Sequence, residues 1–399
     1  MSQHVWALNS SPASAVDIIV VGAGLAGTTA ALLLGKQGYR VTLVDPRSSF
    51  PALFKAEKIE PEQAQLLRKF GLLEHLLPHA GRIHELRAAY NGRVFRIRPI
   101  EQYGIRYGDM VNSLRAQLPP SVERKLGRVT RTTNSPDFQR VRLESGEELT
   151  ARLVILACGA GGQIWARLGL RRQLIHKDQS IVFGFDVARA DGKPFSFDAV
   201  TYYPTSYKDH ISYLTLFRVC QTTRANLFAF RSLTEPWARQ FVKEPGPMLE
   251  RCLPKLSRVI GEYCVASKVE TGHIDLYRVD GQPLPGVVLI GDAAQNVCPS
   301  TGKGLSKVFT DVDVLCSECV PVWLATPRMG CDKIQDFYNH PRKRAIDSRA
   351  RDAAVYLRQA STDRSLRWRI HRLLRLYIPM QFGKPSRRPD SPVRSVRES

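Results

Sequence analysis

A chain of 399 residues with 43% hydrophobic and 24% charged side chains can bury a core across two domains, or one large domain with an inserted lobe, and is not a disordered or fibrous sequence. No run reaches the roughly 18 apolar residues of a membrane span, and the polar, Ser-rich start lacks the pattern of a secretory signal; together with irregularly spaced cysteines this predicts a reduced, cytoplasmic protein. The net charge is +21, and residues 341–399 hold 16 Lys and Arg against 5 Asp and Glu, a field that favours anionic partners without choosing among nucleic acid, acidic lipid and charged small molecules.

In chain order, Asp17-Ile18-Ile19-Val20-Val21 reads as a short buried strand, Thr28 to Gln37 as a helix stopped at Gly38, and Tyr39 to Val44 as a second strand ending on Asp45. These form a strand–helix–strand unit. Helical text returns from Pro61 to Leu77 and around Met110 to Leu118. The alternation from Val141 to Glu147 turns like a hairpin, and Val154-Ile155-Leu156-Ala157 is a buried strand leading into Cys158-Gly159-Ala160-Gly161. Aromatic and β-branched runs between about Ile175 and Arg278 predict a mainly β lobe. Val287 to Ile290 is a further apolar strand, ending in Gly291-Asp292, and helical text follows. From Gly383 the Pro-, Ser- and Arg-rich tail predicts disorder.

Gly22-Ala23-Gly24-Leu25-Ala26-Gly27 lies between the first strand and its helix. Gly22 permits a tight turn, Gly24 lets backbone approach a pyrophosphate, and Gly27 lets the helix pack close to the strand. The helix N-terminus presents free N–H groups to the phosphates. Asp45 stands where an acidic group accepts from a ribose, which disfavours a 2′-phosphate there. This defines a dinucleotide site without choosing NAD or FAD.

The stretch Gly286 to Gln295, with Gly291-Asp292-Ala293, continues through Pro299, Gly302, Lys303, Gly304 and Leu305. It resembles the signature of the group A flavin monooxygenases, the class of the para-hydroxybenzoate and ubiquinone-biosynthesis hydroxylases. The resemblance runs from about Val16 to Arg344. It implies an α/β fold: a Rossmann-like FAD-binding domain of the glutathione-reductase type, an inserted mainly β substrate domain and a helical C-terminal region. The corresponding partition assigns residues 1–80, 101–174 and 281–335 to the FAD-binding domain, 81–100 and 175–280 to the substrate domain, 336–382 to C-terminal helices and 383–399 to a disordered basic tail. Asp292 would accept from ribityl hydroxyls, Gly302 and Gly304 would lie against the isoalloxazine, and the helix from about Leu305 would stabilise negative charge on it. The implied activity is FAD-dependent hydroxylation or epoxidation of an aromatic or other electron-rich, lipophilic small molecule by molecular oxygen through a flavin C4a-hydroperoxide, with NAD(P)H as reductant. Two other readings share these motifs: a reductase of geranylgeranyl-reductase type and a non-catalytic flavin-binding basic protein. The Trp-x-Trp-x-x-Pro element of flavin halogenases is absent.

Several positions depart from the family pattern. Cys158-Gly159 stands where many relatives have Asp-Gly, Gln295 where they have His, and Lys303 where Gln is frequent. Gly159 keeps the capacity for close backbone approach, and Lys303 would add positive potential beside the flavin. Arg106, Arg115 and Lys58 are the candidates for a basic group near the pyrophosphate. The hard chemistry belongs to the cofactor, so no catalytic residue is assigned; Tyr202, Tyr203, Tyr213, His210 and Arg218 are candidates to line the pocket, and Cys298 is a candidate to lie near the ring. Cys316-x-x-Cys319 has no second pair to complete a zinc site, so no metal is expected.

Near the C-terminus, Leu366, Ile370, Leu373, Leu374 and Tyr377 recur at helical spacing among Arg364, Arg367, Arg372 and Arg375. This basic amphipathic helix either packs its apolar face on the body with arginines outward or attaches peripherally to an anionic membrane surface. No nucleic-acid-binding motif accompanies the charge.

Overall fold

Two sheets organise the chain in a computed structural model that describes residues 16–161, 164–378 and 380. The first is built around Val16–Val21, which pairs in parallel with Val41–Asp45 on one side and Glu148–Leu156 on the other. Val122–Leu126 and Val287–Leu289 extend it in parallel at the two flanks, Gln139–Leu143 forms the expected antiparallel hairpin with Glu148–Leu156, and Val129–Asn134 adds a further antiparallel strand beside it. Ile18 and Val20 face one apolar cluster and Ile19 and Val21 another, which is why this strand reads as a continuous apolar run. Because the parallel strands share a direction, the loops after Val21, Asp45, Leu156 and Leu289 emerge at one edge.

The second sheet has nine strands and is largely antiparallel, the exception being Ala199–Tyr203 beside Gly81–Tyr90. Its longest strand, Arg171–Arg189, pairs with Thr222–Ala229 and with Glu270–Asp280. One face carries Phe183, Phe185, Tyr202, Leu214, Leu216 and Leu227 against the helices Pro236–Lys243, Pro245–Cys252 and Ser257–Ile260. The reading of a mainly β lobe does not place these three helices. The other face bears Gly184, Arg224 and Tyr213, which meet Phe54, Glu57 and Ser300 of the nucleotide fold.

Two helix limits differ from expectation. The helix beginning at Pro61 ends at Lys69 rather than Leu77, because Gly71 takes φ +65° and the Leu72 N–H closes back on Leu67 O at 2.8 Å, a left-handed helix stop. The helix expected at Met110–Leu118 lies at Tyr107–Arg115. Further on, Pro341–Thr362 packs along Gly304–Asp313 through the Lys343–Asp311 pair, and Leu366–His371 continues into a wide turn, Arg372–Tyr377. Of the two arrangements open for this last segment, packing of the apolar face on the body holds only for Tyr377, and Arg372 takes the inward place of the leucines. Leu366, Ile370, Leu373 and Leu374 are exposed, whereas Arg372 is buried and Tyr377 stacks on Tyr90 at 5.8 Å. Residues 383–399 and the leader lie outside the described residues.

Candidate active site

The glycine loop is fixed by close backbone contacts. A Cβ on Gly27 would sit 1.8 Å from Gly22 O, and one on Gly22, at φ +100°, would sit 2.6 Å from Ala157 O. At Gly24 the same construction meets only Phe50 and Tyr107, at 3.9 and 4.0 Å, so this side of the loop is open. It faces the first turn of Leu25–Lys36, whose leading N–H groups have no acceptors within the helix. The Leu25 N–H donates to Tyr107 Oη at 3.4 Å, and burial together with Asp292 pushes that phenol well above the usual tyrosine range. Asp45 accepts from the Ala23 N–H at 2.8 Å and the Arg47 N–H at 2.9 Å, holding the loop against the second strand.

Of the three basic candidates, Arg115 is the one that reaches this loop. It is buried, donates through Nε to Ala23 O at 2.8 Å and through Nη1 to Arg47 O at 3.3 Å. Arg106 is committed elsewhere, to Asp186 at 2.7 Å and Glu57 at 3.3 Å, and Lys58 pairs with Glu60 at 3.0 Å. Arg224, almost fully buried, joins Glu57 at 2.8 Å and also Glu270, so a buried ionic cluster pins the loop before Lys58 to the second sheet. Burial raises the Glu57 carboxyl, with Arg224 and Arg106 pulling against it.

Across the same sheet edge, Gly291 adopts φ +60° and begins the turn that carries Asp292. The Asp292 carboxylate makes no hydrogen bond or ion pair with the described residues, while its backbone carbonyl accepts from Tyr277 Oη at 2.8 Å. Beneath this turn lies a feature the sequence reading missed. The Gly291 N–H donates to Asp311 Oδ2 at 2.9 Å and buried Lys307 donates to Gly291 O at 3.4 Å; Lys307 and Asp311 pair at 2.6 Å. Lys343 and Asp347 complete the box. Burial alone would lower the Lys307 value, but Asp311 and Asp347 outweigh it and hold the ammonium charged.

Pro299–Thr301 leads to Gly302, at φ +65°, and Gly304 opens the following helix with Leu305 buried behind it. A Cβ on Gly302, Gly304 or Gly159 would meet nothing within 4 Å. Gln63 ties the loop to the second helix through Gly302 O at 3.0 Å and Ser306 Oγ at 2.9 Å, and Lys303 pairs with Glu62 at 3.5 Å rather than standing alone. An open glycine cradle at a helix N-terminus, an unengaged carboxylate and an open Gly-x-Gly loop on one sheet edge fit FAD. Gly22 to Gly27 and Asp45 would hold its adenosine and pyrophosphate, Asp292 its ribityl chain, and Pro299 to Leu305 its ring.

Tyr203 and Tyr213 line a cavity of about 180 Å³ that also reaches Ser300 of this loop. Tyr213 donates to Ser300 O at 2.5 Å, and burial first of all holds its phenol protonated. The other pocket candidates lie elsewhere. Strand alternation sends Tyr202 to the helix-covered face, where it receives the Gly92 N–H and donates to Pro254 O; His210 sits in a left-handed turn, and Arg218 is exposed near Asp198. Cys298 is fully buried, within 3.3 Å of Ser180 Oγ and 3.1 Å of Ser300 Oγ. Cys316 and Cys319 are free thiols in the core, raised by burial. Asp178, His273 and Asp275 bring ligand-type atoms together, but His273 is already paired to Asp178 at 2.7 Å near the surface. A larger cleft of about 510 Å³, lined by groups such as Arg278, Asp280, Arg344 and Arg351, touches neither glycine loop, and its ionic walls suit solvent better than an aromatic ring.

The class this arrangement defines is a flavoprotein, and comparison with known proteins gives the same answer. Residues 15–344 match the model of the FAD binding domain family, to which the chain belongs. It is an FAD-dependent oxidoreductase of the monooxygenase type. The kynurenine 3-monooxygenase of Salinispora tropica is 28% identical over 345 residues, covering 76% of this chain and 72% of that protein. Among solved structures, p-nitrophenol 4-monooxygenase of Pseudomonas putida superposes with a TM-score of 0.72 at 18% identity, over 90% of this chain and 92% of that one. PqsL of Pseudomonas aeruginosa, in complex with 2-aminobenzoylacetate, superposes with 0.69 at 20% identity, over 86% and 97%. These two similarities speak to fold.

Proposed function

We propose that the protein hydroxylates a small aromatic substrate bound in the tyrosine-lined cavity beside the Pro299–Leu305 loop. The observation that carries this reading is the position of that cavity: Ser300 belongs both to its wall and to the loop that would hold the flavin ring. A cavity of about 150 Å³ accommodates benzene, so one of about 180 Å³ suits a single ring with small substituents. FAD, when bound, supplies the redox and oxygen-activating chemistry. Tyr203 and Tyr213 offer aromatic faces to a ring, Tyr213 keeps its proton and fixes the loop, and Leu357 and Tyr377 of the C-terminal helices add apolar wall. Names of relatives agree in kind, since the monooxygenases cited above act on aromatic compounds. NAD(P)H is the proposed reductant, entering without the family's Asp at position 158.

The test is anaerobic reduction of the holoprotein by NADH or NADPH with a panel of phenols and anilines, followed by oxygen. One aromatic should accelerate flavin bleaching about tenfold or more and emerge with one atom from labelled oxygen. Turnover of an alkene without oxygen uptake would replace this reading with the reductase one. A flavoprotein that no aromatic accelerates would remove it.

Attachment to an anionic membrane surface is the second reading, favoured by the exposed stripe of Leu366, Ile370, Leu373 and Leu374 beside exposed Arg364, Arg367 and Arg369. No helix among the described residues is long and apolar enough to cross a membrane. Basic groups near an anionic leaflet contribute about 1 kcal/mol each, in addition to buried apolar area. The protein should sediment with phosphatidylglycerol-containing vesicles and not with phosphatidylcholine alone, and Leu373→Glu/Leu374→Glu should abolish this without loss of FAD. Equal recovery with both vesicle types would count against it.

A further inference from the structure

The guanidinium of Arg372 gives the cavity a chemical preference. The residue is 2% exposed and is the one charged side chain among the described residues that line the cavity. Nη1 donates to Ala360 O at 3.1 Å, and the ring of Tyr207 lies beneath the guanidinium at 4.1 Å. Nε and Nη2, the two donors that share one edge of the fork, are buried without hydrogen-bond partners among the described residues. The nearest carboxylate in sequence is Asp363, which makes no ion pair with Arg372; Ser365 chiefly holds it low, with smaller pulls from the charges of Arg372 and Arg367. An unpartnered charged edge is costly inside a protein, and the Nε/Nη2 edge matches the two oxygens of a carboxylate.

Building on the aromatic reading of the cavity, we propose that its substrate is a monocyclic aromatic acid, whose carboxylate lies on the Nε/Nη2 edge of Arg372 while its ring packs among Tyr203, Tyr207, Tyr213 and Tyr377. Nη1 and the Tyr207 ring fix the fork in place. Chemistry would then occur at the part of the ring nearest Ser300 and the flavin loop, and the acid would set which ring carbon is presented.

The test uses the FAD-loaded protein and flavin difference spectra. Benzoate, 2-aminobenzoate and 3-hydroxybenzoate are titrated alongside their amides. At least one acid should bind about tenfold or more tighter than its amide. Arg372→Gln should lose about tenfold or more of acid affinity while amide affinity stays within about twofold, and Arg372→Lys should retain part of the preference. Acids and amides binding the wild type alike, or an acid preference that survives in Arg372→Gln, would overturn the proposal. If Arg372→Gln fails to hold FAD, the wild-type acid-to-amide ratio and Arg372→Lys decide. Amides or neutral phenols that bind and accelerate flavin reduction, with no preference for acids, would leave the hydroxylase reading standing and remove the acid. No response to either set would remove both.

Discussion

Gly27→Ala is expected to weaken FAD binding by destabilising the fold, whereas Gly24→Ala should weaken it with the fold intact. The two glycines stand three residues apart in the same loop, but their surroundings differ. A Cβ at Gly27 would lie 1.8 Å from Gly22 O and 3.2 Å from Ala157 Cβ, both on the strand edge, so the helix from Leu25 to Lys36 must move away from the sheet. That helix buries eleven of its residues, and no flexible side chain can absorb the clash. A cost of about 3 kcal/mol or more is expected, a large part of a domain's stability of about 5–15 kcal/mol. At Gly24 the new methyl meets Phe50 and Tyr107 only at ordinary contact distance, so stability should change by about 1 kcal/mol or less. The methyl would nevertheless occupy the space where a pyrophosphate approaches the helix N-terminus, and FAD affinity should fall about tenfold or more. Urea denaturation of the apoprotein and fluorescence titration with FAD separate the two effects. A Gly27→Ala protein with an unchanged midpoint would contradict the packing argument, and a Gly24→Ala protein with unchanged affinity would contradict the placement of the phosphates.

A smaller effect is expected at Asp292. Its carboxylate has no partner among the described residues, so Asp292→Asn should leave the denaturation midpoint nearly unchanged while weakening FAD by about tenfold, the scale of one hydrogen bond made to a charged group. Equal loss of stability and affinity would mean that the side chain supports the turn instead.

The parts of this fold that were legible in the sequence are those in which the cause is local. Gly22, Gly291 and Gly302 take positive φ angles that other residues rarely adopt; the first two follow an apolar strand and the third precedes a helix, so local pattern locates them. The same holds for the hairpin that turns between Leu143 and Glu148. Features that depend on which face meets which neighbour were harder to read. Tyr202 and Tyr203 are adjacent, and alternation requires that only one can face the cavity, but the sequence does not say which. Glu57 and Arg224 are 167 residues apart, and no local pattern announces their pairing. The C-terminal segment shows the limit most clearly. Its apolar periodicity marks a stripe from Leu366 to Tyr377 without saying what covers it; of that stripe Tyr377 turns inward, and Arg372 joins it because the cavity between the sheet and Pro341–Thr362 has a place for a guanidinium over Tyr207.

Lys307→Met should be among the most damaging substitutions in the chain, although Lys307 touches no predicted cofactor atom. Lys307 and Asp311, like Lys343 and Asp347, have the i, i+4 spacing of solvated helix pairs, which contribute only about 0.3–0.5 kcal/mol at a surface. Burial changes that scale. Lys307, Asp311 and Lys343 are each at most 2% exposed, and removing Lys307 leaves buried Asp311 with Lys343 alone, so the cost should approach the about 3–5 kcal/mol of a broken buried pair. Gly291 would lose the contact to its carbonyl, and the turn that aims Asp292 would be held only through Asp311. Both stability and FAD affinity should therefore fall. Lys307→Met combined with Asp311→Asn should recover part of the stability, because the incompletely compensated charge is gone and the amide oxygen can still accept from the Gly291 N–H. The pH dependence has a definite sign. Burial would raise the Asp311 carboxyl, but Lys307 and Lys343 hold it below its ordinary value, so its contribution is complete above about pH 4 and is lost as pH falls further. In Lys307→Met the folded carboxyl is less depressed, since one of the two cations that depress it is missing, so this pH-dependent loss should be smaller and should end at higher pH. Denaturation midpoints measured from pH 7 down to the onset of acid unfolding would show this shift. A variant whose midpoint, FAD affinity and acid limb all match the wild type would show that the buried box does not support the Gly291-Asp292 turn.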